Sequence, residues 1–187
     1  MRYFLDTEFL DTDGSTQLIS LGMVSAAGQE FYAISSDYDT AAAAADPWLS
    51  ENVLPHLCAP GAPAPMPNSQ IAEALTAWCS GLDDGRTPEV WAWNGAYDFY
   101  LLAKLYGRLV NIPALVPRRF FDLKQWARSL GNVSVPAQAA GEHDALCDAR
   151  HDRATFAWLA AYERDRDRRR VERMRGKVLD AVRAVRL

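Results

Sequence analysis

The sequence predicts an α/β fold, a mixed five-stranded sheet flanked by helices in the order βββαβαβα. Three observations lead there. Three apolar, strand-forming runs open the chain, joined by links too short for the crossover of a dozen or more residues that parallel neighbours need. Two strand–helix units follow, with turn or cap residues between their elements. Finally, 187 residues suit one domain, which at this size buries roughly 70% of its unfolded surface without help from disulfides.

The first run is residues 2–5, Arg-Tyr-Phe-Leu, and stops at Asp6. Turn chemistry at Asp11-Thr-Asp-Gly-Ser15 precedes a buried strand over residues 17–25, and after Ala26-Ala-Gly28 a third strand covers residues 30–35. Asp46 as N-cap and Pro47 at the first helical position open a short helix through Leu54. Five prolines make residues 55–67 an irregular loop. Asn68 caps a helix with Ile71, Ala74, Leu75 and Trp78 on one face. Val90-Trp-Ala-Trp93 reads as a compact strand with its tryptophans in the core, broken by Asn94-Gly95, and residues 96–109 read as helix. Arg119-Phe-Phe121 is the fifth strand, and Asp122 caps a helix through Leu130. A Gly/Pro/Ala loop fills residues 131–142. Helix returns at His143 and runs towards the end, with Gly176 the place for a break.

Hydrophobic residues at 49% and charged residues at 24% exclude wholesale disorder. No apolar run approaches the roughly 20 residues needed to span a bilayer. The first nine residues meet charge too soon for a signal-peptide core. Cys58, Cys79 and Cys147 lie far apart and read as reduced thiols, so the expectation is a cytoplasmic protein with no membrane association. Twenty Lys+Arg against 24 Asp+Glu leave a net charge of −4, which hides an imbalance. Residues 150–187 carry 12 bases and 6 acids, so residues 1–149 carry 8 bases and 18 acids.

Asp6 and Glu8, two residues apart on a strand, point to one sheet face, where they are either solvated acids or a cation site. Asp98 falls in the first turn of its helix, where it either complements the dipole or joins them. His143 and Asp148 open the last helix, and Asp152 follows one turn later as a candidate solvated acid. Four carboxylates and a histidine thus come from three separated element ends of one sheet. Carboxylates are hard ligands that suit Mg²⁺ or Mn²⁺, and scattered Cys and His argue against zinc. Two such ions stabilise both oxygens of an in-line phosphoryl displacement, and a histidine is a suitable base for the attacking water.

Phe4-Leu-Asp-Thr-Glu-Phe9, Trp93-Asn-Gly-Ala-Tyr-Asp98 and His143-Asp-Ala-Leu-Cys-Asp148 resemble, in order and spacing, the three motifs of the DEDDh 3′→5′ exonucleases. The resemblance covers residues 1–160. It implies an RNase H-like fold, two Mg²⁺ or Mn²⁺ ions on Asp6, Glu8, Asp98 and Asp148, and His143 as general base. Within that family the chain bears a closer resemblance to the actinobacterial polyadenylate-specific 3′-exoribonucleases, through Met1-Arg-Tyr-Phe-x-Asp-Thr-Glu-Phe9, Leu18-Ile-Ser-Leu-Gly22, Trp91-Ala-Trp-x-Gly-Ala-Tyr-Asp98 and His143-Asp-Ala-Leu-x-Asp-Ala-Arg150. That likeness implies a homodimer trimming single-stranded, adenosine-rich RNA from its 3′ end to nucleoside 5′-monophosphates. A DNA-directed proofreading exonuclease and an oligoribonuclease-like enzyme are the alternatives within the superfamily, and an inactive nucleic-acid-binding module is the one outside it.

Phe9 and Tyr97, beside the acids, are candidates to stack on the terminal base or to pack in the core. Thr7 and Asn94 are further candidate substrate contacts. Residues 161–187 read as a basic amphipathic helical extension, with Val171, Met174, Val178, Val182 and Val185 as an apolar stripe. That stripe fits packing on the body or on a second subunit, while Arg168, Arg169, Arg170 and Arg173 fit RNA phosphates.

Overall fold

In the computed structural model the backbone is described for residues 1–184 and the side chains through Arg175. A single five-stranded mixed sheet organises the chain, in the spatial order β3-β2-β1-β4-β5. Strands β1 (Arg2–Thr12), β2 (Ser15–Ser25) and β3 (Glu30–Ile34) form the antiparallel meander, while β4 (Glu89–Ala92) and β5 (Arg119–Asp122) add on in parallel. Between β3 and β4 lie α1 (Thr40–Ala45), α2 (Pro47–Asn52), α3 (Leu54–Leu57) and α4 (Asn68–Gly81). Helix α5 (Ala96–Leu105) joins β4 to β5, and α6 (Leu123–Ser129) and α7 (Ala145–Ala184) complete the chain.

The antiparallel part and the two local caps follow from short-range chemistry. Asp46 accepts from the Leu49 N–H at 2.9 Å with Pro47 at the first helical position, and Asp122 accepts from the Gln125 N–H at 2.8 Å. Other boundaries differ from expectation. The first strand does not stop at Asp6 but runs to Thr12, because β2 pairs with it along its whole length, Asp6 opposite Gly22 and Glu8 opposite Ser20. The two acids therefore sit in mid-strand. Helix α1 lies in a run of alanines with no hydrophobic period, started by Asp39 accepting from the Ala42 N–H. Pro67, not Asn68, is the N-cap of α4, and Asn68 instead takes the Ser35 hydroxyl. Helix α5 ends at Leu105, ahead of Gly107 at φ +74°, a conformation that favours glycine. Helix α7 passes Gly176 without a break. Of its apolar stripe, Val178, Val182 and Val185 fall outside the residues whose side chains are described.

Alternation along β1 divides the layers. Tyr3 and Leu5 pack with Ile71, Leu75, Leu101 and Leu102 of α4 and α5 on one face. Phe4 meets Phe156 of α7 on the other, with ring centroids 5.4 Å apart. Asp6 and Glu8 continue that second face. What brings α7 down onto it is Gly22, whose missing side chain is a requirement: a Cβ there would lie 2.2 Å from the Ala145 carbonyl oxygen. Gly22→Ala is expected to cost about 3 kcal/mol, at the upper end of overpacking penalties, since backbone and not a pliable side chain must move. Chemical unfolding measures this; an unchanged midpoint would mean that α7 does not depend on that close approach.

Candidate active site

The strand pairing leaves a gap that the site uses. β4 pairs with β1 only through Phe4, so beyond it the β1 edge has no strand partner on that side among the described residues. The chain turns at Asn94, φ +59°, and Gly95, where an added Cβ would lie 2.3 Å from the Ala92 Cβ and 3.2 Å from Asp98 Oδ2. Helix α5 then starts beside the open edge. Thr7 donates both its backbone N–H, at 2.8 Å, and its hydroxyl, at 2.7 Å, to Asp98 Oδ1. Thr7 is buried, so its visible duty is to hold Asp98.

The N-terminal end of α7 arrives from the opposite side. The helix starts at Ala145, not at His143. Asp144 accepts from the Cys147 N–H at 2.9 Å, and His143 lies in the turn before it at φ +66°. A non-glycine residue in this region is uncommon and often marks a functional position. His143 donates its backbone N–H to Asp148 Oδ2 at 3.0 Å, and Gln138 donates to Asp148 Oδ1 at 2.6 Å, so the carboxylate is fixed from two sides. Trp48 of α2, 51% exposed, sets its ring edge-on to the His143 imidazole with centroids 4.8 Å apart.

Glu8, His143 and Asp148 each offer a ligand atom within 4.8 Å of the other two. Asp6, His143 and Asp148 line a cleft of about 310 Å³ with Trp93, Gln138 and Asp152. Glu8 and Asp98 are nearly closed to solvent and do not line it. Burial pushes the Asp6 carboxyl well above the usual range, helped by Asp98, Glu8, Asp148 and Asp152. Burial and then Asp148, Asp98 and Asp144 raise Glu8 to about 8. Asp98 rises to about 6, burial outweighing the two Thr7 hydrogen bonds. Asp148 is raised by burial against the opposing Gln138 and His143 donors. None of the ion pairs among the described residues involves these acids. Like charges buried without counter-charges cost several kcal/mol, and cations at the cleft relieve that cost. Oxygen donors with one imidazole and no thiolate fit a hard divalent ion.

The other candidates fall elsewhere. Phe9 stacks on Tyr97, centroids 5.1 Å apart and planes 12° apart, and Tyr97 is half exposed. Neither lines the cleft, and Asn94 serves the turn. Trp93 is not a core residue: β4 ends before it, and it is 36% exposed on the cleft wall. Asp152 is not solvated but 4% exposed, accepting from the Trp93 N–H at 2.8 Å and pushed well above its usual range, chiefly by burial. Its position four residues after Asp148, on the sheet-facing side of a helix, was the available signal. Gln138 and Trp48 carried none.

Residues 1–159 match the family described as the 3′-5′ exoribonuclease Rv2179c-like domain. Over 161 residues the chain is 36% identical to the 3′-5′ exoribonucleases Rv2179c and MT2234.1 from two strains of Mycobacterium tuberculosis. Each alignment takes in 86% of this chain and 94% of the relative. The matched region contains every acid of the cleft and His143, and on that match the chain belongs to the Rv2179c-like 3′-5′ exoribonuclease domain family.

Proposed function

We propose that the chain is a divalent-metal-dependent 3′→5′ exoribonuclease that releases nucleoside 5′-monophosphates from single-stranded RNA, favouring adenosine-rich ends. The observation that carries this is that Asp6, Asp148 and His143 line one cleft in a member of this family, with Glu8 within ligand distance of His143 and Asp148 and Asp98 held beside them by Thr7. The sheet order and the helices on both faces are compatible with an RNase H-like fold.

Asp6, Glu8, Asp98 and Asp148 would hold the metal, two Mg²⁺ or Mn²⁺ ions in this reading, whose chemistry is to neutralise the phosphate and polarise its P–O bonds. Thr7 and Gln138 aim Asp98 and Asp148. His143 takes the proton of the attacking water on a ring nitrogen, and Trp48 keeps the imidazole from turning away. The cleft lies at the small end of ligand pockets, roughly 300–1,000 Å³, which suits one terminal nucleotide and not a duplex end. The adenosine preference and the homodimer rest on the resemblance of the motifs, and the cytoplasmic location on the three scattered cysteines read as reduced thiols. The division into a catalytic domain over residues 1–160 and an extension over 161–187 rests on that resemblance too.

Product analysis on RNAs of defined 3′-terminal base, with single-stranded DNA in parallel and Mg²⁺ and Mn²⁺ compared, tests the proposal. Stepwise 5′-monophosphates from RNA are expected, fastest from adenosine ends; internal cleavage or equal action on DNA would overturn it. Trp48→Ala is expected to lower kcat by roughly tenfold with little change in stability, because the ring is half exposed. Steady-state rates on a short RNA check this, and an unchanged kcat would show that the His143 backbone alone fixes its ring.

A further inference from the structure

The face of α7 that helps to wall the cleft continues past the region matched by the family. His151 lines the cleft, and Trp158, Tyr162, Arg166, Arg169 and Arg173 follow it at intervals of 7, 4, 4, 3 and 4 residues. Such spacing keeps all six on one side of the helix, over about 33 Å at 1.5 Å per residue. The route is continuous, since Val135 of the cleft wall packs in the same apolar cluster as Trp158. Trp158 stacks on Tyr162, centroids 5.4 Å apart and planes 18° apart, and Tyr162 is 37% exposed. From there Tyr162, Arg166, Arg169 and Arg173, with Asp165, line a shallow concavity of about 230 Å³.

Charge favours a polyanion here. Residues 161–187 hold 10 bases against 5 acids. Arg166 pairs with Glu163 and Asp167 and Arg169 with Asp165, while Arg173 has no acidic partner among the described residues. The exposed Val171 and Met174 fall on another side of the helix, so a subunit seated on them would leave the arginines open.

We propose that this strip is an extended binding site for the single-stranded RNA upstream of the scissile nucleotide. A base stacks on the open face of Tyr162, and Arg166, Arg169 and Arg173 pair with successive phosphates. Stacking of this kind tolerates any base, and phosphate pairing releases counterions, so the site adds affinity for length and not for sequence. The inference rests on the exoribonuclease reading of the cleft.

The test compares the full chain with its Arg166→Ala/Arg169→Ala/Arg173→Ala variant in two assays: hydrolysis of a dinucleotide, and fluorescence-anisotropy binding of a long single-stranded RNA with Asp98→Asn added to both proteins. The triple variant is expected to hydrolyse the dinucleotide at the parental rate. Its affinity for the long RNA at low salt should fall roughly tenfold or more, with the log–log salt slope flattened by about 2, some 0.7 per lost phosphate contact. The corresponding triple lysine variant should restore most of the slope. Unchanged affinity and slope in the alanine variant would overturn the proposal. So would an affinity loss accompanied by a changed sedimentation coefficient, which would make the strip a subunit interface. A parent that leaves the dinucleotide intact while its Asp98→Asn form binds the long RNA would count against the exoribonuclease reading alone.

Discussion

Asp98→Asn is expected to reduce kcat by roughly a thousandfold or more while leaving the protein folded and, without divalent ions, at least as stable as its parent. Both halves follow from one geometry. Thr7 gives its N–H and its hydroxyl to a single carboxylate oxygen, and the amide oxygen of asparagine accepts the same two bonds. The turn at Asn94-Gly95 and the start of α5 are therefore preserved. What disappears is a buried negative charge. Burial, outweighing the two Thr7 hydrogen bonds, already holds the Asp98 carboxyl at about 6, so near neutral pH the metal-free protein carries the cost of ionising it, which an amide avoids. The same charge is what a divalent ion would meet, so Mg²⁺-dependent stabilisation should shrink along with the rate. His143→Ala provides the contrast, with a large loss of rate but most of the metal-dependent stabilisation retained, because three of the acids and the Thr7–Asp98 pair are untouched. Rates on a short RNA, together with melting curves with and without Mg²⁺, separate the two variants. A near-parental rate in Asp98→Asn would take this carboxylate out of the chemistry.

The features legible in the sequence were those set by neighbours along the chain. Asp46-Pro47 and Asp122 announce their helices because a cap bonds to an N–H three residues away. The shared face of Asp6 and Glu8 follows from the two-residue period of any strand. Their mid-strand burial does not. Charges interrupt the apolar run of β1, and only the pairing with β2 and the descent of α7 over Gly22 enclose them. Asp152 shows the same problem: in a helix rich in arginine it resembles a surface acid, and it is buried because Trp93, past the end of β4, needs an acceptor for its N–H. Trp93 was misplaced for the complementary reason, since alternation with Ala92 implies a strand that in fact ends one residue earlier. The left-handed turn at His143 and the reach of Gln138 to Asp148 are properties of a loop whose sequence carries no period at all.

Buried acids also reverse the ordinary response of stability to pH. Glu8 has a folded-state pKa of about 8 against an ordinary 4.5, and Asp6 and Asp152 are likewise raised well above their usual range, chiefly by burial. For a carboxyl raised on folding, the folded state binds the proton more tightly than the unfolded state. Its contribution is fully present below the ordinary pKa and is lost as pH rises through the folded value. Each tenfold change in proton affinity is worth about 1.4 kcal/mol, so these groups together govern several kcal/mol. The metal-free protein should therefore melt progressively lower as pH rises between about 5 and 9. Millimolar Mg²⁺ or Mn²⁺ should flatten that decline, with its largest stabilisation at the alkaline end, where the acids are ionised and the cation has most charge to pair. Glu8→Gln should remove part of the slope in the metal-free protein, chiefly at its alkaline end, by deleting a group that titrates near 8, while Asp98, at about 6, still titrates in the lower part of the window. Melting curves across pH, with chelator and with metal, read all three effects. Metal-free stability that climbs with pH over this range would mean that the carboxyls are paired or solvated, and the case for a cation site at the cleft would fall with it.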